Sequence, residues 1–242
     1  MKNQYFGDIN DYRKYGLLRT LIGEKKDLTL GVCRMLTPND SSRHGGKTDY
    51  LDDDATWKEY DCDLFKVLYN WVKVQDRRCV EMIEQDKAIL PAKYHNCFVP
   101  ETREKREAYF ESMLRSSLGV DLVFFDPDNG LEVRSKPYNE RPSCKHLYFS
   151  EVKKTFKAGH SVLVYQHFPR VDRAIYRKSR LKDIQDHTGA GPKQLWWLST
   201  AHVLFLFATQ EKHTEILAQR TQQFRNEWSE QEITTGRLQG QL

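Results

Sequence analysis

The clearest structural signal in the sequence is the stretch Val120-Asp-Leu-Val-Phe-Phe-Asp-Pro-Asp-Asn-Gly-Leu-Glu-Val133. Residues 120–125 are almost entirely apolar and rich in β-branched and aromatic side chains, which is typical of a strand buried on both faces of a parallel sheet. The sequence from Asp126 to Gly130 then ends the strand, because proline cannot donate to a sheet and Asn-Gly tolerates a turn. Ligands of open α/β sheets bind beyond the carboxyl ends of the strands. We therefore predict that Asp126 and Asp128 lie at a functional site.

The other hydrophobic patterns in the sequence, together with this strand, predict an α/β fold. Predicted strands cover 28–36, 160–167, 196–198 and 202–208, with shorter candidates at 88–91 and 96–100. Predicted helices cover 6–22, 57–86, 101–118, 146–157, 170–185 and 211–228. Strand, helix and strand between 120 and 167 form a βαβ unit. We therefore predict a single α/β domain over 1–242, a Rossmann-like three-layer sandwich with a mostly parallel central sheet.

Three segments fall outside these elements. Residues 37–56 and 134–145 are long and polar or proline-rich, so we predict that they are functional loops. Residues 229–242 are predicted to form a frayed tail.

Composition narrows the class of protein. The chain is 39% hydrophobic and 30% charged, with five scattered cysteines and a net charge of +4. These values are typical of a soluble globular protein, and no apolar run is long enough to span a membrane. The start of the chain lacks an apolar signal segment, which predicts a cytoplasmic location. The cysteine spacing predicts reduced thiols and no metal site. The oligomeric state stays undetermined.

A second strand end repeats the polar pattern of the first. The sequence Tyr165-Gln-His-Phe-Pro-Arg170 places His167 beside a proline where a strand leaves the sheet. If this strand neighbours 120–125, His167 emerges near the two aspartates. A carboxylate and an imidazole in one cleft can orient water and stabilise developing charge. We therefore predict Asp126, Asp128 and His167 as catalytic residues.

Other polar residues are candidates for binding the substrate. The start of the first helix carries more polar residues than helix capping explains. The predicted substrate-binding or base-binding residues are Asp8, Asn10, Asp11, Asn129, Tyr165 and Gln166.

A basic helix follows the second strand end. Its arginines recur at helical spacing, and only one acid lies among them, which is typical of a surface that contacts phosphates. The predicted phosphate-binding residues are Arg170, Arg173, Arg177, Lys178, Arg180 and Lys182. The predicted partner is DNA.

Asp126-Pro-Asp-Asn129 resembles the Asp-Pro-Pro-Tyr motif of amino-methyltransferases that act on adenine or cytosine. This resemblance implies S-adenosylmethionine as cofactor. The chain departs from that family in two places. Asp128 and Asn129 replace the second proline and the aromatic residue, and the strand at 28–36 is followed by Thr-Pro-Asn-Asp rather than a glycine-rich turn.

The same region is similar to α/β proteins of the uracil-DNA-glycosylase type. Asp126-Pro127 matches their water-positioning turn, and His167-Phe-Pro169 resembles their later histidine loop. In that family, however, the first buried strand carries the Asp-Pro turn, and the histidine loop comes later in the chain. As a whole, the chain is similar to bacterial anti-phage DNA glycosylases that remove glucosylated hydroxymethylcytosine.

These resemblances imply a DNA glycosylase that needs no cofactor. It would hydrolyse the N-glycosidic bond of a bulky modified base and leave an abasic site, as part of phage defence. The absence of a glycine-rich cofactor turn and the surplus of acids favour this over methyl transfer. An S-adenosylmethionine-dependent amino-methyltransferase is the alternative, and a binding protein without turnover is a third possibility.

Overall fold

The computed structural model describes residues 1–41, 45–87, 89–133, 135–136, 138, 143–229 and 232–238. Within these ranges, the strands are β1 (Leu30–Cys33), β2 (Lys93–His95), β3 (Leu122–Phe125), β4 (Gly130–Leu131), β5 (His146–Leu147), β6 (Ser161–His167), β7 (Leu195–Ser199), β8 (Val203–Ala208) and β9 (Thr234–Arg237). The α-helices are α1 (Ile9–Ile22), α2 (Asp54–Trp57), α3 (Cys62–Tyr69), α4 (Met82–Gln85), α5 (Arg103–Ser116), α6 (Phe149–Lys157), α7 (Arg173–Thr188) and α8 (Glu211–Glu227).

The central sheet has seven strands in the order β2-β1-β3-β6-β8-β7-β9. β2, β1, β3 and β6 pair in parallel. β8 is antiparallel to β6 and to β7, and β9 is antiparallel to β7. Five of the seven strands therefore run in one direction, with β8 and β9 reversed. The predicted α/β sandwich with a mostly parallel sheet is confirmed.

Alternation along the strands explains why the sheet residues are apolar without interruption. Leu122 and Phe124 pack into the core that contains α1, α3 and α8. Val123 and Phe125 pack into the core on the other face, with α5, α6 and α7. Because neighbouring strand residues point to opposite faces, a strand covered by helices on both sides needs an apolar residue at every position.

The region 57–86 was wrongly predicted as one helix. α3 ends at Tyr69, and a π-helical turn follows it over Asn70–Val74. The next helix, α4, is short. Asp76 lies between them with a φ of 49°, a left-handed conformation that interrupts a right-handed helix. β2 lies between the two short strands predicted nearby, since Lys93–His95 pairs with β1.

The prediction of a frayed tail over 229–242 is wrong for Thr234–Arg237. These residues form β9 and pair with β7. Gly236 lies flat against the indole of Trp197, where an added Cβ would come within 2.6 Å of the ring. The small residue thus allows β9 to pack closely at the edge of the sheet.

The two predicted loops differ in how much of them the structure describes. Residues 37–56 contain a 3₁₀ helix at Asp49–Asp52 and the start of α2, while 42–44 lie outside the described residues. Half of 134–145 also lies outside them. No helix in the described part of the chain is long and apolar enough to cross a membrane.

Candidate functional site

A cleft of about 600 Å³ lies beyond the carboxyl ends of β3 and β6. We call it the acidic cleft. The polar and aromatic side chains that line it are Tyr5, Asp8, Asn10, Asp11, Lys14, Lys47, Asp126, Asp128, Tyr165, His167 and His202. Seven of these residues were predicted as site residues from the sequence.

Strand pairing and alternation bring the predicted catalytic residues together. β3 and β6 are parallel neighbours, with Phe125 opposite Val164, so their ends meet at one edge of the sheet. Asp126 continues the alternation of Leu122 and Phe124, toward the face that α1 covers. The expectation that Asp126 and His167 emerge into the same cleft is therefore met.

Lys14 lies at the base of the acidic cleft between two carboxylates. Its Nζ donates to Asp11 Oδ1 and to Asp126 Oδ2, each at 2.7 Å, and its side chain is only 2% exposed. Burial acts to lower the pKa of Lys14, but the two carboxylates prevail and hold it well above its ordinary value. The lysine is therefore a fixed cation that ties α1 to the end of β3.

Asp8 is the N-cap of α1, and it also lines the cleft. Its Oδ1 accepts hydrogen bonds from the backbone N–H groups of Asn10 and Asp11, each at 2.9 Å. Burial, reinforced by the nearby Asp11 carboxylate, raises the pKa of Asp8 to about 7. A carboxyl group that titrates near neutral pH can accept or donate a proton under ordinary conditions.

Asp128 has a different environment from Asp126, although both were predicted as catalytic. The Met1 ammonium lies 2.6 Å from Asp128 Oδ1, and the Thr37 hydroxyl donates to Oδ2 at 2.5 Å. Burial acts to raise the pKa of Asp128, but the ammonium and the hydroxyl prevail and lower it. Asp128 is therefore a paired anion that anchors residues from the start of the chain, whereas Asp126 has one oxygen outside its pair with Lys14.

Two histidines lie on the open side of the cleft. His167 packs edge-on against Tyr165, with ring centroids 5.1 Å apart, and its crowded surroundings lower its pKa even though Asp126 opposes this. His202 lies at the turn between β7 and β8 and is exposed. Partial burial lowers its pKa, and the cations Lys47, Arg13 and Arg173 lower it further. Both imidazoles are therefore neutral at pH 7.

Gln166 does not face the acidic cleft, because it alternates with its neighbours along β6. Its Oε1 accepts from the Leu131 N–H at 2.7 Å, and its Nε2 donates to the His167 carbonyl at 2.9 Å. Gly130 has a φ of 88°, and an added Cβ would lie 2.3 Å from the Gln166 amide. Gln166 therefore holds the turn after Asp126, and it lines a second cleft on the other face of the sheet rather than the acidic one, so its predicted substrate-binding role stays a prediction.

Asn129 faces a second cleft of about 750 Å³ on the α7 side of the sheet. We call it the aromatic cleft. Its lining includes Asn129, Glu132, Phe149, His167, Phe168, Tyr176 and Arg180. His167 lines both clefts, so the two meet at this side chain.

The predicted phosphate-binding residues fall into two groups. Arg177 stacks on Trp197, with its guanidinium 4.2 Å from the ring centroid, and donates to Ser199 Oγ. Arg180 donates to the Glu132 carbonyl and pairs with Asp183, and Lys182 pairs with Asp186. The other group comprises Arg170, Arg173 and Lys178, which are exposed and make no ion pair within the described residues.

Four polar or aromatic residues that line the acidic cleft were not predicted from the sequence: Tyr5, Lys14, Lys47 and His202. A signal existed for Lys14, because it follows Asp11 by three residues and so lies on the same helix face. Lys47 belongs to the loop 37–56, which was predicted to be functional as a whole. Nothing local in the sequence distinguishes Tyr5 or His202, since only tertiary packing brings them to the cleft.

No group of three or more histidine, cysteine, aspartate or glutamate side chains within the described residues is arranged to hold a metal ion. Comparison of the chain with protein-family models, with curated proteins and with solved structures gives no match.

Proposed function

We propose that this chain is a DNA glycosylase and that the acidic cleft is its active site. The observation that carries the proposal is that Asp8, Asp126 and the neutral His167 face a single cleft, and that the pKa of Asp8 is about 7. Hydrolysis of an N-glycosidic bond needs a group that accepts a proton from water and a carboxylate that stabilises a sugar cation. Asp8 and Asp126 supply these two groups.

The proposed reaction assigns one task to each residue. A water oxygen attacks C1′ of the sugar while the bond from C1′ to the base nitrogen breaks, and its electron pair leaves with the base. Asp8 accepts the proton of the water, and Asp126 stabilises the positive charge that develops on the sugar. His167 donates a hydrogen bond to the departing base, which then takes a proton from solvent. Lys14 holds Asp126 in position.

The partner in this proposal is DNA whose target base is flipped out of the helix. The exposed cations Arg170, Arg173 and Lys178 would contact its phosphates. Both clefts are larger than an unsubstituted pyrimidine needs. In line with the sequence resemblance, we propose that the target is a bulky modified pyrimidine such as glucosylated hydroxymethylcytosine, and that the protein acts in the cytoplasm against phage DNA.

Alkaline cleavage of treated DNA tests this proposal. Phage DNA with modified pyrimidines and unmodified DNA are incubated with the protein in chelator, treated with mild alkali and separated on a denaturing gel. We expect breaks in the modified DNA and few or none in the unmodified DNA. Intact strands in every lane would count against the glycosylase.

A matched pair of variants ties the activity to the cleft. Asp8→Asn keeps a good N-cap but removes the proton acceptor, so the breaks should disappear. Asp53→Asn is the control, because Asp53 caps α2 through its carboxylate and lies outside the lining of the acidic cleft. Equal activity of both variants would show that Asp8 is not the base.

One observation favours methyl transfer as a second candidate. β1 pairs with β2 on one side and β3 on the other, so the cleft lies near the point where strand connections change direction, and cofactors bind there in Rossmann-like folds. Against this, the end of β1 has no glycine-rich turn, and the Met1 ammonium donates to the carbonyls of Met35 and Asp126. Transfer of a labelled methyl group from S-adenosylmethionine to DNA would support the alternative.

A further inference from the structure

We infer that the aromatic cleft is the pocket for the flipped base, so that the base and its sugar occupy different clefts on either side of His167. This inference rests on the proposed glycosylase function and adds to it the location and chemistry of the base site. Its evidence comes from the wall of the aromatic cleft, from an unpartnered amide and from the position of His167.

Aromatic rings form the wall of this cleft. Phe168 and Tyr176 lie with their ring centroids 6.1 Å apart and tilted by 59°. Arg173 lies 5.1 Å from the centroid of Phe168, and Arg180 lies 5.5 Å from that of Tyr176. Aromatic faces backed by guanidinium groups provide a surface on which any planar base can stack.

Polar groups in the cleft are available to read the edge of a base. The side chain of Asn129 makes no hydrogen bond within the described part of the chain, and the residue is exposed. An asparagine amide offers both a donor and an acceptor, which suits the paired donor and acceptor groups of a base. The Nε atom of Arg180 is buried without a hydrogen-bond partner among the described residues. The other guanidinium nitrogens of Arg180 contact the Glu132 carbonyl and Asp183, so this arginine forms a fixed wall of the cleft.

The position of His167 sets the order of the two sites. It is shared by both clefts, while Asp8 and Asp126 line only the acidic one. A nucleotide with its base against Phe168 and its sugar toward Asp126 would place the glycosidic bond beside His167. The acidic cleft then holds the sugar and the water, and the aromatic cleft holds the leaving base.

Photochemical crosslinking tests the location of the base. A single-stranded oligonucleotide with 5-iododeoxycytidine at one position is bound to the Asp8→Asn protein, irradiated and digested, and the modified peptide is identified by mass spectrometry. We expect the crosslink on Phe168 or Tyr176. A crosslink on Tyr5 or Tyr165 would place the base in the acidic cleft and overturn the inference, as would the absence of any crosslink.

Matched variants supply a second measurement. Phe168→Leu removes the stacking face but keeps an apolar side chain, and we expect it to weaken binding of the same oligonucleotide by about tenfold. Phe98→Leu, at a phenylalanine that is 59% exposed and outside the cleft, should leave binding unchanged. Asn129→Ala, which removes no side-chain hydrogen bond to the described residues, should weaken binding without a change in thermal stability. Wild-type affinity of both Phe168→Leu and Asn129→Ala would also overturn the inference.

The outcomes for the base site and for the proposed function are separable. A crosslink on Phe168 together with no alkali-labile sites would retain the base pocket and reject the glycosylase. Alkali-labile sites together with a crosslink on Tyr165 would retain the glycosylase and reject this pocket.

Discussion

Opposing effects act on the carboxyl group of Asp8. Burial and the Asp11 carboxylate raise its pKa, whereas two backbone N–H groups and Lys14 lower it, and the resulting value is about 7. Because this lies above the ordinary value of 3.8, the folded protein holds the Asp8 proton more tightly than the unfolded chain does. The contribution of Asp8 to the free energy of unfolding therefore falls as the pH rises from about 4 to about 7 and is constant above that.

In the variant Asp8→Asn, this pH-dependent decrease in the free energy of unfolding should be absent. We expect urea unfolding to show that the variant gains stability relative to the wild type between pH 4.5 and pH 8, by at most about 1.4 kcal/mol per pH unit. For Asp53→Asn, the matched N-cap control, the free energy of unfolding should change between pH 4.5 and pH 8 as it does in the wild type. Parallel pH profiles for Asp8→Asn and the wild type would mean that Asp8 titrates normally.

The same titration predicts the pH dependence of catalysis. In the proposed reaction Asp8 accepts a proton and is active only when ionised, so formation of alkali-labile sites should increase with pH through about 7 and then level off. The measurement is the initial rate at saturating DNA between pH 5.5 and pH 8.5. A rate that decreases across this range would require a protonated group instead and would exclude Asp8 as the base.

Lys14 should be essential to the fold as well as to the cleft. Lys14→Met leaves the buried carboxylates of Asp11 and Asp126 without their cation, which we expect to cost about 3–5 kcal/mol of unfolding free energy. Lys105→Met on α5 is the control, because Lys105 is exposed. Adding Asp126→Asn to Lys14→Met should restore part of the loss. A loss as small as that of the control would mean that the buried pairs contribute little.

Alternation along a strand could have predicted which side of the sheet single residues face. The local motifs alone did not predict this. Gln166 follows Tyr165 on β6 and therefore faces the opposite side of the sheet, so these two could not share one cleft. Lys14 was detectable by its spacing from Asp11. The pairing of Asp128 with the Met1 ammonium could not be detected from the sequence, because no local pattern indicates a contact between residues so far apart in the chain.

At the scale of the elements, α7 illustrates the limit of a charge pattern. Helical spacing placed its arginines on one face, but that face lies partly against β7, where Arg177 stacks on Trp197. The sequence does not show which of these cations will pack against or pair with neighbouring residues in the folded protein. The predicted phosphate-binding cations that are exposed and make no ion pair within the described residues are Arg170, Arg173 and Lys178.

Replacing these three exposed cations with glutamine should weaken DNA binding and reduce its salt dependence. Because each phosphate contact contributes about 0.9 to the slope of log K against log salt for duplex DNA, we expect the slope to fall by about two to three. The control replaces Lys66, Lys212 and Arg225, three exposed cations on α3 and α8, with glutamine. Equal slopes for the two triple variants would exclude this end of α7 as a phosphate-binding surface.

Element types were predictable where the hydrophobic pattern was strong. α5 and α8 differ from their predicted bounds by at most two residues at each end, and β6 by one. The prediction failed at 57–86, where Asp76 adopts a left-handed conformation, and at β9, whose pairing with β7 depends on a partner far along the chain. Both errors arise from tertiary context rather than from local propensity.

At the scale of the whole molecule, burial on both faces made the fold predictable. A strand such as β3 can be apolar at every position only if helices cover both of its faces, and that condition alone implies a layered α/β architecture. The acidic cleft could be predicted in part, because the carboxyl ends of parallel neighbours meet at one edge. The division into two clefts at His167 could not, since it depends on how α1 and α7 pack against opposite faces.

The proposed glycosylase cleaves the bond between a DNA base and its sugar. Mass spectrometry tests this by identifying the small molecules that the wild type and Asp8→Asn release from phage DNA with modified pyrimidines. We predict that the wild type releases the free modified base, in an amount equal to the alkali-labile sites formed, and that Asp8→Asn releases none. Release of nucleotides, or no release together with a gain of methyl groups in the DNA when S-adenosylmethionine is present, would contradict the claim.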